Sequence, residues 1–574
     1  SLTGALNFGL SWLGEHEITS TNLFLRNTDD LVAVTNKYTQ TSPFGSGQGS
    51  RNWDYRFEQR ELVVNQLSGE HRLGYETLNS LGLDETLEFL MDMEVDWFYS
   101  DSEATSNIPG ETNVLGRITR DVNTGEITSE SLALGLRMVD VRYTDLADDV
   151  TSSGFNVEMP FYKGDWEIVV SGGGKFDTKT RTFRQLDLSL GSTNPAVQPT
   201  LGGDISDVLS DTNITDPANS YDLVFQSGLS RSYLAASTTD AVYGQLDVMY
   251  DYTWRLALGV RWEEYKQFSS PWAPYGVGSQ LLLDFSNPIA GQQPPGVFYE
   301  EELYPSVALT YSSQDFWADD FNLRFAASET VVRPDLREVS DASYLDPQTD
   351  VIVRGNPNVV PSDLTNLDIR AEWFFGNGDN LSLSLFHKEL TNPIEYFQNP
   401  GAEDTITATI ENAETGETQG IELEFLKSLE FLGDFGQQFF VSGNVTLAES
   451  EIQVGNNLTV AATNRVRPLR GASEYVVNLQ LGFDSNDYMH AATLAYNVTG
   501  ERVFAAGSST EPDAYEQPFD SLDLTYSYFP TDNISLKFNA RNLLGENQLI
   551  TQGNVDLFEQ TVGTSYSLSA KYEF

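Results

Sequence analysis

A period of two limits what this chain can fold into. Tyr475, Val477, Leu479, Leu481 and Phe483 alternate with Val476, Asn478, Gln480 and Gly482. Successive side chains of a strand point to opposite faces, so this run has one apolar face and one mostly polar face. Trp254, Leu256, Leu258, Val260 and Trp262 repeat the pattern against Arg255, Ala257, Gly259, Arg261 and Glu263. Leu367, Ile369, Ala371, Trp373 and Phe375 do so against Asp368, Arg370 and Glu372. No stretch approaches the ~18 apolar residues of a membrane-spanning helix. The expectation is a large all-β fold.

The connections alternate as well. Lys163-Gly164-Asp165, Asp251-Tyr252, Gly376-Asn377-Gly378-Asp379, Asp484-Ser485-Asn486-Asp487 and Pro530-Thr531-Asp532-Asn533 carry turn chemistry. Between those turns lie long polar stretches: 31–56, 101–149, 184–238, 269–302, 333–363, 391–416, 451–472, 501–519 and 544–561. A soluble two-sheet fold gives the same alternation, but has no reason to put every long connection at one end. Short periplasmic turns and long extracellular loops are the layout of a transmembrane antiparallel β-barrel. Aromatics stand beside the short turns, at Tyr250 and Trp254, Trp373 and Phe375, Tyr528 and Phe529, where a membrane-interface girdle belongs. Tyr566, Leu568, Ala570, Tyr572 and Phe574 form one apolar face that stops on an aromatic carboxy terminus. That ending resembles the signal read by the outer-membrane barrel assembly machinery.

Composition excludes several functions. With 84 Asp+Glu against 33 Lys+Arg the net charge is −51, which would repel a nucleic-acid backbone. Cysteine is absent, so there are no disulfides, thiolate zinc sites or Cys nucleophiles. Aromatics at 12% argue against an acidic disordered chain. His16, His71, His387 and His490 share no zinc-binding spacing, and no nucleophile elbow occurs. Gly45–Gly49 reads as a loop and Gly172-Gly173-Gly174-Lys175 as a strand bend, not as phosphate cradles. Asp121–Glu126 reads as an acidic turn without a full calcium-loop pattern. Asp204, Asp207, Asp211 and Asp216 read as solvated loop surface, which could hold cations bridging lipopolysaccharide. No enzyme chemistry, metal or cofactor is expected.

Several segments resemble the TonB-dependent outer-membrane receptor family. Ser328-Glu329-Thr330-Val331-Val332-Arg333-Pro334 resembles the strand end before one extracellular loop. Gly355-Asn356-Pro357-Asn358-Val359-Val360-Pro361, running into Leu364–Asp368 and Glu372-Trp373-Phe374-Phe375, is similar to the family's GNP-to-EYF run. Leu383–Leu390, Asn412-Ala413-Glu414 with Gly420–Glu424, and Phe538–Leu544 continue the match; Ala413 departs from the common Gly. The resemblance is dense from about 240 to 574.

About nineteen strands are expected, from 4–13 to 563–574, whereas plugged transporters of this class have 22. If the last strand ends at the periplasm, parity makes the first one the fourth of a barrel. Residues 1–574 then form an incomplete barrel, with the plug and the first strands missing. The resemblance implies a receptor that binds a scarce extracellular solute and imports it with energy from the TonB complex through that plug. Candidate solutes are a glycan, a ferric siderophore or cobalamin, with oligosaccharides slightly favoured because the acidity repels anionic chelates. A passive porin and a secreted glycan-binding protein are the rival readings. Expected substrate contacts are the loop aromatics Trp53, Tyr55, Trp272, Tyr275, Phe298 and Tyr299, whose faces can stack on sugars or apolar ligands. Expected lumen- or plug-facing charges are Arg255, Arg261, Arg324, Arg370, Glu372, Glu422 and Glu424. Outer-membrane lipid and lipopolysaccharide should surround the wall.

Overall fold

The computed structural model describes the chain except residues 39–41, 83–87, 134, 193, 195–208, 226–231, 273–296, 341–342, 346–351, 401–405, 456–461, 509–510 and 574. Nineteen strands follow one another up and down in chain order. They are β1 (Leu2–Trp12), β2 (His16–Lys37), β3 (Gln48–Leu73), β4 (Met93–Arg120), β5 (Gly135–Lys163), β6 (Trp166–Ser192) and β7 (Ser232–Tyr250). Then come β8 (Trp254–Trp272), β9 (Val297–Gln314), β10 (Asp320–Val332), β11 (Ser362–Phe374), β12 (Asn380–Thr391) and β13 (Thr415–Ser428). The last are β14 (Phe439–Gln453), β15 (Tyr475–Asp484), β16 (His490–Thr499), β17 (Phe519–Thr531), β18 (Ile534–Arg541) and β19 (Ser565–Tyr572). Each pairs antiparallel with the next, from Trp12↔His16 in β1–β2 to Ile534↔Tyr572 in β18–β19.

The strands on one flank are taller than the sequence pattern suggests. β3 has 26 residues, β4 28, β5 29 and β6 27. A transmembrane strand needs only about 9–11, so most of these strands lie outside the apolar belt. There apolar residues such as Val114, Leu132 and Met138 pack in local clusters among polar ones instead of facing lipid, and the alternation weakens, which is why 31–56 and 101–149 read as loops. One short-turn connection is also longer than expected. Residues 74–92 carry the helix Tyr75–Ser80, whose first turn is held by the Glu15 carboxylate, accepting from Glu76 N at 3.0 Å and Thr77 N at 2.8 Å.

The apolar face forms continuous rows. Val248, Leu256, Leu309, Phe325, Ile369, Leu385, Ile421, Leu447 and Tyr475 sit side by side across nine strands. Leu256, Phe325, Ile369, Leu385, Ile421 and Leu447 are all exposed. An exposed belt this wide is not tolerated in water. At the short-turn rim aromatic rings meet in pairs: Trp166 with Tyr250 at 4.5 Å, Trp254 with Tyr311 at 4.8 Å, Phe321 with Trp373 at 5.3 Å and Phe439 with Phe483 at 5.0 Å.

Glycines on the wall serve as seats for rings. Trp97 lies over Gly69, Phe98 over Gly154, Tyr243 over Gly173, Phe386 over Gly420 and Phe440 over Gly482, each directly across the strand pair. A Cβ on Gly482 would meet Phe440 ring atoms at 2.1–2.6 Å. Gly482→Val is expected to cost about 1–3 kcal/mol through overpacking, read as a lower urea midpoint of the refolded protein. Gly244→Val, whose Cβ would meet nothing within 4 Å, should leave that midpoint nearly unchanged.

The sheet does not close on itself. Every residue of β1 and of β19 is exposed, and neither strand has a second neighbour among the described residues. Both run toward the short-turn rim, since β1 ends at Trp12↔His16 and β19 at Tyr572↔Ile534.

Candidate functional site

The polar face carries a matching set of rows. Ser312, Asn322, Glu372, Ser382, Glu424, Asn444, Asn478, Asn497 and Ser521 are cross-strand neighbours from β9 to β17. Asn478 donates to Asn444 at 2.7 Å. Arg370 is the hub of this face, bonding Glu372 at 2.9 Å, Glu424 at 2.6 Å and Ser384 Oγ at 3.0 Å. Arg324 reaches Glu372 at 3.2 Å. Arg255 is bonded to Asp247 and Arg261 to Glu263, and Glu422 accepts from Thr446 at 3.4 Å. All seven charges singled out in the sequence lie on this face, and four of them, Arg324, Arg370, Glu372 and Glu424, form one network.

The loop aromatics among the described residues are not brought together. Trp53 and Tyr55 stand on β3 rather than in a loop, because that strand begins at Gln48. Trp53 packs against the cluster of Val114, Leu132, Met138 and Val139 and its ring covers Gly116. Phe298 and Tyr299 stand on β9 rather than in a loop. Phe298 packs 6.3 Å from Tyr265, and the Tyr299 hydroxyl donates to Glu264 at 3.1 Å. Trp272 ends β8, and its side chain and the whole of Tyr275 lie outside the described residues, as do Asp204, Asp207 and Phe574. Tyr566, Leu568, Ala570 and Tyr572 stand along β19. His16 stacks on Trp12 at 4.9 Å, and His71 Nε2 accepts from Trp97 at 3.0 Å. Among the described residues no group of three His, Asp or Glu side chains is placed to hold a metal ion. Asp121 closes its own turn, accepting from Asn123 N and Thr124 N.

The site lies in the long loops instead. Segments of two of them, Ser343–Leu345, Ile352–Arg354, Ile394–Pro400 and Ile406–Asn412, form a four-stranded sheet. Arg502–Ala505, Ala514–Glu516, Gln548–Gln552 and Val555–Gln560 form another. Single bridges Phe397↔Ala506 and Arg470↔Val503 tie the second sheet to its neighbours. Arg467 and Glu395, 2% and 5% exposed, form a buried ion pair at 2.8 Å below this joint. Removing one partner of such a pair leaves an uncompensated buried charge.

The loop sheets border an open cavity of about 510 Å³ lined by Arg337, Tyr396, Arg470, Arg502, Phe504 and Glu516 among others. Arg502 is bonded to Glu516 at 2.7 Å. Arg470 is exposed, lies 4.4 Å over the Tyr396 ring and donates to the Phe504 carbonyl at 2.6 Å. It has no carboxylate partner among the described residues. A guanidinium stacked on an aromatic face keeps donors in a geometry that suits carboxylate- or phosphate-like anions. Sequence reading passed over these residues. The available signal was the run Arg465-Val466-Arg467-Pro468-Leu469-Arg470, three cations in six residues of a strongly acidic chain.

One segment joins these loop sheets to the wall. Arg333 bonds Glu263 at 2.6 Å and lies 4.3 Å over Tyr265. Gln267 donates to the Pro334 carbonyl at 3.3 Å. Arg181 clamps Asp148 with two bonds of 2.6 Å and Asp335 with one of 2.8 Å. Burial pushes the Asp335 carboxyl up, but Arg181, the Arg337 N–H and Lys179 together hold it below its ordinary 3.8. Burial pushes the neighbouring Glu338 carboxyl above its ordinary 4.5. The depressed Asp335 group favours docking above pH 3.8 and loses that contribution as pH falls further. The raised Glu338 group favours docking below pH 4.5 and opposes it once ionised. Glu338→Gln is therefore expected to slow hydrogen exchange across 333–340 at pH 7, and Asp335→Asn to speed it, the first difference shrinking as pH falls toward 4.5 and the second only as it falls below 3.8.

The sequence model of the TonB dependent receptor-like, beta-barrel family matches residues 27–543, nine-tenths of the chain. The chain belongs to that family. An iron-regulated outer membrane virulence protein of Vibrio cholerae is 24% identical over 207 residues, a match covering 34% of this chain and 29% of that protein. The chain thus matches less than a third of that relative's length. Among solved structures, the ferric-catecholate import receptor Fiu of E. coli superposes with TM-score 0.51 at 12% identity, covering 100% of this chain and 80% of that one. The siderophore receptor PiuA of Acinetobacter baumannii gives 0.50 at 11%, covering 99% and 81%. The ferric yersiniabactin uptake receptor FyuA of Yersinia pestis gives 0.50 at 11%, covering 100% and 78%. These likenesses concern the fold.

The receptor barrel belongs in the bacterial outer membrane. Its apolar rows face lipid and its polar rows face the lumen, as in other such barrels. The ring pairs are the girdle at the periplasmic rim, and the loop cavity opens on the extracellular side.

Proposed function

We propose that this chain is the barrel of an outer-membrane uptake receptor that captures an anionic ferric chelate in the Arg470 cavity and imports it with energy from the TonB complex. One observation carries the choice of solute. A chain with a net charge of −51 places an arginine that has no carboxylate partner among the described residues, stacked on a tyrosine, in its extracellular loop cavity. That reverses the slight preference for oligosaccharides, because local donors decide binding where the long-range field is screened. The similarity to receptors named for ferric catecholate and yersiniabactin supports the same reading.

The remaining partners follow from the wall. The like-directed edges β1 and β19 can be joined antiparallel only through an odd number of further strands. Three strands would bring the total to 22, and a plug inside that barrel would give TonB its handle. The lipid-facing rows seat the barrel in the outer membrane, and Glu389, Glu417 and Glu451, side by side above them, would meet cation-bridged lipopolysaccharide. The apolar face of β19 would be read by the assembly machinery.

The test compares the full-length receptor's affinity for ferric tris-catecholate and for a neutral maltooligosaccharide, together with radioiron uptake by cells with and without TonB. Tight ferric tris-catecholate binding and TonB-dependent uptake are expected. Preference for the neutral sugar, or uptake that persists without TonB, would overturn the reading.

A further inference from the structure

Residues 333–340 lie between two different structures and touch both. Toward the lumen, Asp335 is clamped by Arg181 and Leu336 is 3% exposed in a slot made by Phe183, Tyr233 and Ala235, with Leu146 beside it. Arg181, Phe183, Tyr233 and Ala235 share the face of Gly173 and Tyr243 by the period of two, so this slot is on the lumen wall. Toward the loop sheets, Val339 is buried with Val353, Val359, Ala408 and Ile410. Between those anchors Arg337 and Glu338 line the Arg470 cavity.

The segment is also short and stiff. Asp335 O accepts from Glu338 N at 2.9 Å, and Arg337 O from Ser340 N at 3.3 Å. Asp335 N donates to the Glu338 carboxylate at 2.8 Å. Gly355 is pressed against its backbone, and a Cβ there would meet the carbonyls of Ser340, Arg337 and Glu338 at 2.3, 2.6 and 2.9 Å. Asn356 N donates to Glu338 O at 2.7 Å. Two stretches singled out in the sequence, Arg333-Pro334 and Gly355-Asn356-Pro357, thus meet at one turn.

We propose that residues 333–340 form a strap that couples the outer cavity to the lumen wall, so that a change at Arg337 and Glu338 shifts the clamp at Asp335 and Leu336, and the reverse. This rests on the cavity being the solute site for its purpose, though not for its mechanics. The cavity residues and the clamp residues are adjacent in a turn closed by its own hydrogen bonds. Neither end can move far without the other. Coupling of this kind is reciprocal, so it can be read from either end.

The chain has no cysteine, so one introduced thiol reports one place. The first measurement needs no solute. In the full-length receptor, the maleimide reaction rate of Phe504→Cys in the cavity is compared with and without Asp335→Asn, and separately Leu336→Ala. Neither of those two side chains lines the cavity. A change of about fivefold or more is expected, the lower end of ordinary coupling. An unchanged rate in both would overturn the strap, whatever the cavity binds. The second measurement uses Ala235→Cys, which lies 4% exposed under Leu336, with ferric tris-catecholate added. The chelate should change its rate by a similar factor, and Arg470→Met should abolish that change. If the chelate binds in an Arg470-dependent way and the Ala235→Cys rate stays the same, the strap fails and the cavity stands. If the first measurement shows coupling and the chelate does not bind, the strap stands and the solute reading fails.

Discussion

Ile421→Arg is expected to cost the folded receptor about 2–4 kcal/mol in a bilayer, the range for a cation at mid-depth on a barrel's lipid face. Ile421 is at the middle of β13 and 48% exposed, between Leu385 on β12 and Leu447 on β14. Around it the row is apolar for several strands in either direction, and Glu449 on β14, opposite Gln419, stands one step toward the extracellular side of that face. The long side chain can partly escape by extending toward the headgroups, which sets the lower end of the range. The loss should appear as a reduced fraction of the heat-modifiable folded band after refolding into vesicles. Glu422→Arg, one residue on but facing the lumen, is the control. It should change the folded fraction far less, because the lumen admits water. Equal losses at the two positions would contradict the assignment of faces.

Arg470→Met should weaken ferric tris-catecholate binding about 10- to 100-fold. The arginine's stem and its stacking area on Tyr396 are roughly preserved by methionine, whereas its charge-assisted hydrogen bonds are lost. Bonds of that kind are worth about 1.5–3 kcal/mol, and 1.4 kcal/mol is about a tenfold change in affinity. Arg502→Met should do less. Arg502 is already engaged with Glu516, so it has less to give a solute. Titration of the variants by quenching of intrinsic fluorescence would order them. An Arg470 variant with wild-type affinity would move the solute site elsewhere.

Much of the wall was legible in the sequence. All nineteen strands, their direction and most of their short turns, residues 74–92 excepted, follow from alternation at residues such as Leu479 and Leu481, because lipid on one face and water on the other impose opposite chemistry on neighbours. The upper parts of β3 to β6 were not legible. Above the membrane no lipid enforces the alternation: along 114–120 the buried face carries Gly116 and Arg120 beside Val114 and Ile118, while Leu115 is exposed, so the composition shows no clear period. The site was harder still. Trp53 and Tyr299 were chosen as loop aromatics, but the first fills a packing cluster and the second is tied to acidic neighbours on β8 and β9. The cavity residues come from several different long loops. Arg337, Tyr396, Arg470 and Arg502 are distant in sequence, and only the pairing of loop segments into sheets brings them together. No local pattern encodes that convergence.

The unequal strand lengths shape the entrance. At about 3.3 Å per residue and a tilt near 40°, a strand of 28 residues such as β4 rises ~70 Å, while the apolar band is only about 25 Å tall. The strands from β15 to β18 have 8–13 residues and by the same reckoning rise only about 20–33 Å, close to the height of that band. The rim is therefore slanted like a hood, with a high back over β3 to β6 and a low front where the loop sheets sit. From the medium, the way to the loop sheets over the front is therefore shorter than the way over the back.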